Sequence, residues 1–86
     1  MDINKLFKII EVKIKDKISV EDILIEDRTF LHKRHKSHEL GKFHIKLFIT
    51  SPELRKLNKI DSTKKIYSIL KDELIKYIHS IQILIS

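Results

Sequence analysis

A change of hydrophobic period within one stretch constrains the fold more than any other feature of this sequence. Between Ser62 and Ile78, the apolar residues Ile66, Ile69, Leu70, Leu74 and Ile78 recur at spacings of three and four, which gathers them on one side of a helix. Asp61 or Ser62 can cap its first turn, because a short side-chain oxygen there accepts from an amide that has no partner inside the helix. The spacing then changes to two. Ile81, Ile83 and Ile85 alternate with Ser80, Gln82 and Leu84, the rhythm of a strand with one face on a core. His79 sits where the helix gives way to the strand. By parity it shares the face of Ile81, Ile83 and Ile85, so from the residues alone it reads as a histidine at the rim of the core.

The rest of the chain supplies partners for that unit. Residues 3–15 read as a helix, with Ile3, Leu6, Phe7, Ile10 and Ile14 on one side and Asp2 as its cap. Ile9 and Val12 widen the apolar side and predict burial against a sheet. Residues 20–27 read as a short strand, and residues 28–42 as a polar, His-rich connection that ends near the only glycine, Gly41. The clearest strand is 43–50. Phe43, Ile45, Leu47 and Ile49 point one way, and His44, Lys46, Phe48 and Thr50 the other. Phe48 on the polar side predicts a contact surface or a helix overhead. Ser51 as cap, Pro52 at the first helical position and Glu53 after it predict a short helical turn.

This order is helix, strand, strand, short turn, helix, strand. Adjacent strands joined by a loop pair antiparallel, and a strand reached through a helix lies parallel to its neighbour. The expected fold class is α+β, a three-stranded mixed sheet with helices on one face. A chain of 86 residues is expected to form a single domain over 1–86. A domain of this size buries only about 60–65% of its unfolded surface and has one thin core.

Composition removes several functions. There is no cysteine, so disulfides, a thiolate nucleophile and an all-thiolate metal site are excluded. No uncharged run approaches the ~18–20 residues that cross a membrane, and residues 1–5 do not open a signal peptide. The expected setting is a soluble, cytoplasmic protein. The sequence holds no phosphate loop, no nucleophile set beside a base and no carboxylate pair at metal-ligand spacing, and Asp72-Glu73 reads as ordinary helix surface; an enzyme is not expected. Net charge is +6, which permits nucleic acid, an acidic protein or a membrane surface as partner without choosing between them and reads first as a solvated basic surface.

The closing stretch also resembles the BolA family. That family's helix carries a Val/Ile-Tyr pair, a Leu and a Glu-Leu pair, and runs into an Ile/Val-His-Ala-Leu/Ile-x-Ile strand. The corresponding residues here are Ile66-Tyr67, Leu70, Glu73-Leu74 and Ile78-His79-Ser80-Ile81-Gln82-Ile83. Asp27-Arg28-Thr29-Phe30-Leu31-His32 falls where the family has Asp-Glu-Ser-x-x-His, His44-Ile45 where it has His-Phe, and Thr50-Ser51 where it has a Val/Ile-Ser pair. The chain departs from the family at Leu54-Arg55-Lys56, in place of Phe-x-Gly, and at Ser62-Thr63-Lys64, in place of Arg-His-Arg. Any function tied to that Arg-His pair does not carry over. The implied fold is the BolA-type variant of the KH-like fold.

What the resemblance implies is an adaptor that pairs with a monothiol glutaredoxin, and with the glutathione it carries, to bind, transfer or sense a [2Fe–2S] cluster. His79 takes the place of one cluster ligand and His32 of the other, with His35 as the alternative to His32. With two histidines and no cysteine, this chain alone does not complete a four-ligand iron site, so no cluster is expected in the isolated chain. His32, His35 and His38 are also spaced to line one side of a helix, as a zinc site would need, but Lys33, Arg34 and Lys36 between them repel a dication.

The second reading is a nucleic-acid-binding regulator, which some BolA-like proteins are. Between residues 32 and 46, Lys33, Arg34, Lys36, Lys42 and Lys46 face a single carboxylate, Glu39, and such a loop can contact DNA or RNA phosphates. The Gly-x-x-Gly clamp of KH domains is absent, since Gly41 stands alone. A weak homodimer is left open.

Overall fold

The computed structural model describes residues 1–29 and 42–86. The element order is α1 (Ile3–Lys17), β1 (Asp22–Asp27), β2 (Phe43–Thr50), α2 (Pro52–Arg55), α3 (Lys59–Ile69), α4 (Lys71–Lys76) and β3 (Ile78–Ile85). The three strands form one sheet in the order β1-β2-β3. β1 pairs antiparallel with β2, and β2 pairs parallel with β3. This is the mixed sheet expected from the element order, with the helical crossover between β2 and β3.

The elements begin where short polar side chains replace missing backbone partners. The Asp2 carboxylate accepts from the Asn4 amide at 3.1 Å and starts α1. Ser51 ends β2 and caps α2, accepting from the Leu54 amide at 3.2 Å with Pro52 at the first turn. The same Ser51 hydroxyl donates to the Ser19 carbonyl at 2.7 Å, so one buried side chain ties the end of β2 to the segment before β1. The cap of α3 is Asn58, which accepts from the Asp61 amide at 2.8 Å. The helix therefore starts one turn earlier than Asp61 or Ser62 would have it.

A second difference lies inside the closing helix. Leu70, with ψ of 17°, leaves the helical range and divides α3 from α4. Leu70 is nevertheless fully buried, so the apolar spacing runs through the break and gives no sign of it.

Leu6, Ile10 and Ile14 of α1, Ile66 and Leu70 of the closing helices, and Ile45, Leu47 and Ile49 of β2 form one core. Burying each such side chain contributes about 1.5–3 kcal/mol. Val12, expected to widen the buried side of α1, is 53% exposed, because the core needs only the Leu6–Ile10–Ile14 stripe. The helices thus cover the face of the sheet that carries Ile45, Leu47 and Ile49. Glu73, read from the sequence as ordinary surface, is buried. Its two carboxylate oxygens both accept from Lys13 Nζ, each at 2.9 Å, which joins α4 to α1.

Candidate metal-ligand site

The register of β3 against β2 decides where His79 points. Phe43 pairs with Ile78, but His44 pairs with Ser80, so β3 carries one extra residue at this step. That residue is His79. A bulge of this kind leaves one residue outside the ladder and re-aims side chains. Ile78 is buried, and Ile81, Ile83 and Ile85 are half-buried on the core side, while His79 and Ser80 are both exposed. The parity argument that put His79 with the isoleucines assumed an uninterrupted two-residue repeat. The bulge corrects it, and the imidazole is open to the outside.

Two further residues hold the junction. The Phe43 amide donates to the Tyr77 carbonyl at 2.8 Å, so the end of α4 is bonded to the start of β2. His44, buried at 5% exposure, lies on the face of the sheet away from the helices and stacks on His79, with ring centroids 4.7 Å apart and planes tilted by 30°. His44 Nδ1 shares a 2.6 Å hydrogen bond with the Ser80 hydroxyl, the residue next to His79. The His44 backbone is fixed in turn: its amide donates to Thr29 Oγ1 at 3.2 Å, and its carbonyl accepts from the Arg28 amide at 2.7 Å. Among the described residues, no hydrogen bond takes either ring nitrogen of His79. The result is an exposed imidazole seated on a fixed one, with neither of its nitrogens taken by another described residue.

His32 and His35 lie outside the described residues, as do Lys33, Arg34 and Lys36. Of the basic residues considered for nucleic acid, Lys42 and Lys46 are described, and both are half-buried. Lys46 Nζ lies 5.0 Å above the Phe48 ring, a cation–π geometry. Phe48, read from the sequence as marking a contact surface or a helix overhead, thus lies on the uncovered face of the sheet beneath a lysine, and no described helix covers it. Among the described residues, no group of three or more His, Cys, Asp and Glu side chains could hold a metal ion. His44 and Ser80 were not singled out as site residues in the sequence. Alternation placed both on outward faces, but only the register shows that they meet.

The fold defined by this sheet and its helices is that of BolA domains. The structure superposes on the BolA domain of SufE1 from Arabidopsis thaliana with a TM-score of 0.74 at 23% identity, covering 90% of this chain and 85% of that one. It superposes on BolA1 from Arabidopsis thaliana with a TM-score of 0.73 at 20% identity, again covering 90% and 85%. For a bol-like protein from Babesia bovis the TM-score is 0.70 at 14% identity, covering 91% and 79%. No curated protein sequence matches the chain. A family model, that of the BolA-like protein, matches residues 14–86. The chain belongs to the BolA-like family.

Proposed function

We propose that this chain is a BolA-like adaptor that pairs with a monothiol glutaredoxin and its glutathione to bind, transfer or sense a [2Fe–2S] cluster, with His79 as one ligand. The observation that carries the reading is the bulge, which turns His79 out of the core and leaves both ring nitrogens unengaged among the described residues. An imidazole that is buried or has both ring nitrogens taken would be unsuited to the task; this one is exposed, and among the described residues neither nitrogen is taken.

The donor set fits a shared site rather than a private one. His79 stands without a cluster of other ligating side chains among the described residues, so the remaining ligands come from elsewhere. Within this chain the source is the loop, through His32 or alternatively His35, and outside it the glutaredoxin cysteine and glutathione. When bound, an imidazole in place of a thiolate raises the potential of such a cluster, as in Rieske centres. The contribution of this chain is to orient one nitrogen, and His44 stacked beneath the ring limits its rotation. The role is that of a binding partner and not of a catalyst.

The test is reconstitution of the complex with a monothiol glutaredoxin, read by visible absorption and circular dichroism. His79→Ala is expected to change or abolish the spectrum of the hetero-complex, and an unchanged spectrum refutes the ligand role. His32→Ala and His35→Ala, compared in the same assay, identify the loop ligand. A salt titration with DNA and RNA checks the nucleic-acid reading. Submicromolar affinity with sequence preference at physiological salt would replace the adaptor by a regulator; binding that disappears steeply with salt reflects only the net charge.

A further inference from the structure

Next to His79, on the sheet face away from the helices, three strands turn polar side chains into one shallow dish of about 230 Å³. Arg28 reaches it from just beyond β1, His44 and Lys46 from β2, and Ser80 and Gln82 from β3. The register accounts for the convergence. His44 pairs with Ser80 and Lys46 with Gln82, and the bond from the Arg28 amide to the His44 carbonyl places Arg28 in the same row. The dish therefore brings together two cations, a hydroxyl and an amide. Glu26, the cross-strand partner of Lys46, supplies a countercharge and accepts from Arg28 Nη2 at 3.2 Å.

That bond uses only one part of the guanidinium. Arg28 Nε is shut away from water and has no hydrogen-bond acceptor among the described residues. A donor in this state has lost its hydration without replacement, which is unfavourable, and such groups are rare unless an absent ligand or water completes them. The guanidinium presents its N–H groups as a planar fork that matches the two oxygens of a carboxylate. Among the described residues, two lining cations set against Glu26 leave one positive charge over, which suits a monoanion better than a doubly charged phosphate. His44 lines the dish and also stacks on His79, so an anion held there lies beside the candidate ligand.

We propose that this dish is a carboxylate subsite, filled by a group carried on the molecule that docks at His79. The inference rests on the reading of His79 as a docking point and adds the chemistry of what docks. Two sources carry the same group: an acidic side chain of the partner protein, or a carboxylate of the glutathione it holds.

The experiment begins with the isolated full chain, labelled with nitrogen-15. Acetate, reduced glutathione and glutathione diethyl ester are added while the Arg28 Nε–Hε and Gln82 side-chain amide resonances are followed. Acetate and glutathione are expected to shift both resonances saturably, and the ester is not. Arg28→Gln, whose backbone bond to His44 is untouched, is expected to remove the Gln82 response, and Lys46→Gln to weaken it severalfold. An Arg28 resonance that stays in place with both acids overturns the subsite, whatever the partner does. Binding of a monothiol glutaredoxin is then measured with and without glutathione. Arg28→Gln should lower the affinity by about 10-fold or more, as loss of one charge-assisted hydrogen bond does. A loss seen only with glutathione present assigns the carboxylate to glutathione, and a loss seen in both forms assigns it to a side chain of the partner. An affinity unchanged in both forms overturns the docking role of the dish. Failure of the wild-type chain to bind glutaredoxin refutes the adaptor reading instead, and the acetate titration separates that failure from failure of the subsite.

Discussion

The two faces of the sheet are made from the same three strands and follow opposite rules. On the face covered by helices, Ile45, Leu47 and Ile49 are at most 2% exposed. On the other, Leu24, Phe48 and Leu84 line up across the strands, yet Leu24 is 55% exposed and Leu84 39%. Apolar side chains thus occur on both faces, and only the arrival of α1, α3 and α4 decides which become core. The uncovered face is itself divided. The apolar row crosses it at Leu24, Phe48 and Leu84, while the polar dish and His79 occupy the end where β1 finishes and β3 begins. Polar side chains have collected on the face that the core does not use.

Unfolding measurements can break that contrast. Leu47→Ala on the covered face should cost about 2–5 kcal/mol in a urea titration, since it leaves a cavity in a thin core. That is a large share of the ~5–15 kcal/mol that a domain of this kind has in total. Lys13→Ala comes next. It leaves the buried Glu73 carboxylate without its cation, and the expected loss is about 1–3 kcal/mol, below the usual figure for a broken buried pair because Lys13 is itself partly exposed. Leu24→Ala on the uncovered face should change stability by no more than about 0.5 kcal/mol. A Leu24 loss as large as that of Leu47 would mean that the uncovered face is structural after all.

The smallest effect concerns pH. The Glu53 carboxyl is held below the ordinary glutamate range by the hydrogen bond from Lys65 Nζ at 2.7 Å, and then by the Ser19 amide, which donates at 3.2 Å. A carboxyl depressed in the folded state contributes stability that is present above its unfolded value and is lost as pH falls through the folded one. Glu53→Gln should therefore flatten the acid limb of the stability profile slightly, an effect that salt reduces because the pair is at the surface. An acid limb unchanged in Glu53→Gln at low salt would remove this ion pair from the account.

Local pattern carried most of the fold. Strict alternation over 43–50 gave β2 with its observed bounds, and Asp2, Ser51 and Pro52 marked helix starts because capping depends on neighbours in sequence. What escaped was set by residues far apart in the chain. Glu73 looked like surface because its partner, Lys13, lies 60 positions away. The parity of His79 failed because a bulge is a property of two strands in register, and β3 alone gives no sign of one. The same holds for Arg28, His44 and Ser80, which three separate segments contribute to one place. His79 itself was legible, since the change of period draws attention to it, whereas His32 and His35 fall outside the described residues.

The parallel pairing of β3 with β2 has a consequence for the newly made chain. Strands joined side by side in this way cannot zip up from a tight turn; the intervening helices must form and close a long loop first, which makes such pairing a late event. Until it happens, the imidazole of residue 79 exists without its backing ring, its bulge or the neighbouring dish. An immature or partly unravelled copy therefore lacks the assembled arrangement of His79, His44 and Ser80, and under the proposed adaptor role only a copy that has finished folding can receive a partner.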